Sequence, residues 1–98
     1  MNPVEHVRAN LGRDGKRWHK GSLDGPGESM CLIGACMSAL TRLAIGPIVE
    51  VVGEQYPDRV RAYYKAIPSF NDHPDTTWAD VERVLDKASA RWDEEHGS

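Results

Sequence analysis

A chain of 98 residues has room for one domain, since a chain of this size buries roughly 60–70% of its extended surface in a single core. Apolar residues at 40% and charged residues at 28% exclude a disordered or low-complexity protein. The net charge of −3 is unevenly placed: residues 8–20 hold Arg8, Arg13, Lys16, Arg17 and Lys20 against Asp14, and residues 72–95 hold eight acidic side chains against Arg83, Lys87 and Arg91. Either end suits an outside partner, but charged surface is ordinary for a soluble domain, so the expectation is that the two ends lie together and partly neutralise each other. The N-terminus lacks the basic and apolar regions of a signal peptide. The longest apolar segment, residues 30–45, is interrupted by Ser38, Thr41 and Arg42 and is shorter than the ~20 residues of a membrane helix. Both features predict a cytoplasmic protein with no membrane partner. Two cysteines are too few for a disulfide framework and are expected as reduced thiols.

In chain order, Asn2 caps a first helix with Pro3 at its first position and Glu5 at its third; Val4, Val7 and Leu11 mark its inner face, and Gly12 stops it. Residues 12–29 read as a loop with Trp18 as its anchor, long enough to be either pinned or functional. Residues 29–45 read as a helix apolar on nearly every face, hence the buried centre of the core. Gly46-Pro47 breaks the chain, and residues 48–52, β-branched yet preceded by proline, are expected as a short helix because a lone strand would have no partner. A further helix is expected from Pro57 and Asp58 to Ile67, with Val60, Tyr63 and Tyr64 on one face and Pro68 ending it. Residues 69–75 read as a turn-rich loop. Thr77, with Asp80 three residues on, caps a last helix whose stripe of Trp78, Val81, Leu85, Ala88 and Trp92 faces the core. The expected architecture is one all-α domain over residues 1–98, a compact bundle of four to five helices around a central apolar helix.

Four landmarks stand in a particular order: Trp18-His19-Lys20-Gly21, Cys31-Leu32-Ile33-Gly34-Ala35, Phe70-Asn71-Asp72 and Thr77-Trp78-Ala79-Asp80-Val81. In this the chain resembles a family of small uncharacterised helical domains from actinobacteria and their phages. That family shows a Trp and Gly, a variable loop, a Cys-Leu-x-Gly-Ala segment, an aromatic-Asn-Asp turn, and a final helix entered through Thr and an acidic residue before Val. The match spans most of the chain except residues 41–67; Phe70 stands where Trp is common, and Arg17 replaces a Gly. The resemblance implies a helical fold and a provenance, and no activity.

Cys31, expected in the first turn of a helix, suggests a nucleophile with His73 and Asp72 as partners. About 100 helical residues leave little room for a substrate cleft, and buried cysteine is common without chemistry, so a cysteine-dependent hydrolase is an alternative and not the expectation. No metal or cofactor is expected. His19, Cys31, Cys36, His73 and Asp75 are the available ligands, but Cys-x4-Cys on one α-helix turns the thiols about 140° apart, which also excludes a disulfide between them. Asn71, Asp72, Thr77 and Asp80 are expected as turn and cap residues. Arg13, Lys16, Arg17, Trp18 and Lys20 are the candidate binding residues, mixing cations with an aromatic as nucleic-acid contacts do; the acidic balance and the lack of a basic recognition helix favour a protein partner over nucleic acid. The expected function is a small non-enzymatic protein-interaction module, a phage accessory protein acting on a host protein in the host cytoplasm. Tyr63 and Tyr64 are the second choice of surface.

Overall fold

A computed structural model describes residues 2–20, 30–60 and 65–96. Helix α1, Pro3–Leu11, begins as its sequence predicts: the Asn2 side chain accepts the Val4 amide at 2.9 Å, proline stands at the first position, and Gly12 leaves the helix at φ 82°. Val4, Val7 and Leu11 are buried.

Residues 30–44 depart from the expected central α-helix. They form turns and two 3₁₀ turns, Gly34–Cys36 and Thr41–Ala44. The cause is local competition for backbone groups. Ser38 and Thr41 cap each other, each amide donating to the other's hydroxyl at 3.1 Å, and the Cys31 Sγ takes the Gly34 amide at 3.4 Å. Side chains that bond their own backbone in this way offer it an alternative to the helix.

The central helix is instead α2, Ile45–Gln55, with Pro47, Ile48, Val49, Val51 and Val52 buried. It extends well beyond the short helix expected at residues 48–52. Its β-branched side chains are weak helix formers, yet they are buried against α3, α4 and the Thr41–Ala44 turn, and packing outweighs propensity. The expected helix from 57 to 67 is not continuous. A 3₁₀ turn, Pro57–Arg59, gives way to extended Val60, and residues 61–64, with Tyr63 and Tyr64, lie outside the described residues. Helix α3, Ala66–Asp72, then carries Phe70, Asn71 and Asp72 in its last turn, where a turn-rich loop was expected. Pro68 does not end a helix. It occupies the third position of α3, where its missing N–H has no intrahelical acceptor to lose.

Helix α4, Trp78–His96, starts as expected, with the Thr77 amide on Asp80 Oδ2 at 3.1 Å. Val81, Val84, Leu85 and Ala88 face the core; Trp92 does not. It is half-buried and stacks on His96 with ring centroids 3.6 Å apart, because α4 by then has run past the core. Helix α1 runs antiparallel to α4, with Asn2 bonded to Ser89 and Asp93, Arg8 to Asp86, and Gly15 against Trp78. The fold is an all-α compact bundle, with four α-helices among the described residues. None of the described helices is long and apolar enough to cross a membrane.

Candidate interaction site

The loop after α1 is built on two glycines. Gly12 and Gly15 hold φ of 82° and 77°, a region that side chains avoid, and a Cβ at Gly15 would stand 2.4 Å from the Trp78 ring. The loop backbone therefore lies flat on the first residue of α4. Asp14 Oδ1 accepts the Lys16 amide at 3.2 Å, and the Gly15, Arg17 and Trp18 amides bond back to Gly12, Leu11 and Gly15. Arg17 and His19 then bracket Met30: the Met30 amide donates to the Arg17 carbonyl at 2.6 Å and the His19 amide to the Met30 carbonyl at 3.1 Å.

Asn71 ties this loop to the rest. It is fully buried, and its Oδ1 accepts both the Trp18 indole N–H at 2.6 Å and the Leu32 amide at 2.9 Å. Its Nδ2 donates to the His19 carbonyl at 3.2 Å and to Asp72 Oδ1 at 2.9 Å. The Trp18, Cys31-Leu32 and Phe70-Asn71-Asp72 landmarks thus meet on one amide. Trp18 also packs on Trp78, centroid to centroid 6.2 Å, bringing in the fourth landmark.

Of the candidate binding residues, Arg13, Lys16 and Arg17 are exposed on this fixed loop. Trp18 is half-buried and anchors it. Lys20 Nζ donates to the His73 carbonyl at 2.7 Å, so it ties the loop to the end of α3. The expected neutralisation of basic head by acidic tail holds only in part. Arg8 pairs with Asp86 at 2.6 Å, but Lys16 pairs with Asp14 of its own loop at 3.6 Å, and Glu94 and Glu95 are exposed at the far end of α4, about 25 Å from Trp78 at 1.5 Å per residue.

A polar network that sequence reading missed lies beyond Trp78. Asp80 accepts from the Tyr56 hydroxyl at 3.1 Å and from Arg59 at 2.9 Å; Arg59 also donates to Thr76 Oγ1 and stacks on the Tyr56 ring, and Arg83 donates to the Tyr56 hydroxyl. Burial pushes the Asp80 carboxyl up, but the bonds from Arg59, the Thr77 amide and Tyr56 outweigh it and hold its pKa below the ordinary value. Next to this network opens a cleft of about 310 Å3 lined by Asp58, Arg59, Ser69, Asp72, His73 and Pro74. Asp72 and His73 were weighed from sequence, but no spacing rule links residues 58, 59 and 69 to them. Only the fold does.

Cys31 and Cys36 are both free and buried. The argument from α-helical rotation does not apply to them, because their segment is not α-helical. Burial, with the neighbouring Cys31 adding to it, pushes the Cys36 thiol up to about 12. Cys31, His73 and Asp72 are each held by a different partner: the Gly34 amide on Cys31, the Asp75 amide on His73 Nδ1 and the Asn71 amide on Asp72. Among the described residues no three His, Cys, Asp or Glu side chains gather to hold a metal ion.

Residues 4–91 match a family of unknown function, DUF6197. The chain belongs to this family. No curated protein and no solved structure matches it. Membership in DUF6197 covers every landmark joined through Asn71, and brings no activity with it.

Proposed function

We propose that the chain is a small non-enzymatic interaction module that docks a protein partner on the loop of residues 13–20. The observation that supports this is how the loop is held. Arg13, Lys16 and Arg17 project to solvent from a backbone packed on Trp78 and pinned through Trp18 to buried Asn71. A mere connector has no use for such fixing, whereas a pre-ordered loop loses less conformational entropy on binding. The separate partners of Cys31, His73 and Asp72 speak for a non-enzymatic role. The resemblance to domains of actinobacteria and their phages speaks for a host protein as partner, met in the host cytoplasm.

The test compares tagged wild type with a triple variant, Arg13→Ser, Lys16→Ser and Arg17→Ser, as bait in the native cell. Lys20 is left intact because it holds the end of α3. A partner retained by wild type should be released as salt rises, since exposed charges are screened over about 8–10 Å at ordinary ionic strength. It should be lost from the triple variant while the melting temperature barely moves. Equal retention by the two proteins would refute the loop as the docking surface. Tight binding of a mixed-sequence DNA duplex at physiological salt would replace the protein partner with nucleic acid.

A further inference from the structure

The 3₁₀ turn Thr41–Ala44 runs straight into α2, so residues 41–55 form one right-handed helical rod. Ala44, Ile48, Val51 and Val52 turn one side of it to the core. The other side is Leu43, Gly46, Glu50 and Gly53, all exposed, at spacings of three, four and three, the pattern by which one helix seats on another. Among the described residues the large apolar side chains most open to water are Met37 at 48% and Leu43 at 56%, and both fall in the turns that lead into this rod. That stretch is fixed, because Ser38 and Thr41 cap each other between them. Beyond Leu43 the helix surface is bare: a Cβ at Gly46 or Gly53 would meet nothing within 4 Å. Pro47 gives Gly46 a local reason, since a Cβ before proline disfavours the helical region, but Gly53, a poor helix former, has none in the chain's own packing.

Two opposite charges flank the bare stretch. Arg42 is exposed and makes no ion pair among the described residues. Glu50 is exposed one turn beyond Gly46; it lies near Arg91, whose guanidinium is already taken by Glu54 at 2.6 and 3.1 Å. We propose that this face receives a second copy of the chain, α2 against α2 in antiparallel about a two-fold axis at Gly46. Charge selects the register. An axis at Glu50 sets two carboxylates against each other, whereas an axis at Gly46 sets Arg42 opposite Glu50 of the partner subunit, and symmetry makes that pair twice. The same axis lays Leu43 over Val49 of the partner subunit, and the absent side chains of the two Gly46 residues let the backbones close. No residue of the loop 13–20 belongs to this face, so the dimer and the loop reading stand independently.

Sedimentation equilibrium of the full chain from micromolar to millimolar concentration tests this, and a reversible monomer–dimer equilibrium is expected. Arg42→Glu and Glu50→Arg each set like charges against one another twice. Each should weaken association about four- to twenty-five-fold, at about two- to fivefold for each exposed pair, with the fold retained because both side chains are exposed. The double variant, Arg42→Glu with Glu50→Arg, exchanges the charges and should return the affinity to within about twofold of wild type. Leu43→Ser should also weaken the dimer while leaving the melting temperature of dilute protein unchanged. A dimer that neither charge variant weakens, or a double variant that regains nothing, overturns the proposal. A chain that stays monomeric at millimolar concentration overturns it too, and loss of a captured partner on Leu43→Ser would then assign the face to that protein.

Discussion

The side-chain amide of Asn71 has four hydrogen-bonding directions, two lone pairs and two N–H groups, and all four are used, by Trp18, Leu32, His19 and Asp72. Replacement by alanine would leave the buried Leu32 amide and the half-buried Trp18 indole N–H without their acceptor, and a buried donor left unmade costs about 1–3 kcal/mol. Asn71→Ala is therefore expected to lower stability by about 2–4 kcal/mol in urea denaturation; an unchanged midpoint would mean that packing of Trp18 alone holds the loop. From sequence, Asn71 reads as a turn residue bonding its own backbone, because three of its four partners lie 39 to 53 positions away. Asp80 is the opposite case, legible as a helix cap three residues after Thr77, with its ties to Tyr56 and Arg59 invisible. Its folded pKa lies below its unfolded one, so its contribution is complete above the ordinary aspartate value of 3.8 and is lost as pH falls through the folded pKa. The stability gap between wild type and Asp80→Asn should be full at neutral pH and close in strong acid. A gap that stays constant with pH would show that the carboxylate charge is not what stabilises the network.

Periodicity served best where one stripe of a helix meets the core. In α1 and α4 the caps and the inner residues through Ala88 are where the sequence places them. It failed where apolar residues surround the backbone, because such a pattern records burial and not geometry. Residues 30–44 are buried in part as turns, and the helix that does run through the core was obscured by its β-branched residues. Trp92 shows the same limit at the end of an element: correct spacing continues past the point where there is a core to face. Leu85→Ala, at a fully buried site, is expected to destabilise by about 2–5 kcal/mol. Trp92→Ala is expected to shift stability by less than about 1 kcal/mol, since its ring meets His96 at a half-exposed end. Equal denaturation midpoints for the two variants would show that the end of α4 is as tightly packed as its middle.

At the scale of the whole molecule, the all-α class and the single helical core were legible, while the meeting of distant segments was not. The candidate cations were found because they cluster in sequence; the cleft was not, because its walls come from a 3₁₀ turn and the end of α3. The closure of the loop at Met30 bears on how the domain takes added length. Chain leaving at His19 and returning at Met30 is clamped by two backbone bonds, and Lys20 is held besides on the His73 carbonyl. Doubling the length between pinned ends adds only about 0.6 kcal/mol of closure entropy. A chain lengthened between these clamped ends is thus expected to keep its melting temperature within a few degrees, and a large drop on such an insertion would show that the closure at Met30 depends on what it encloses.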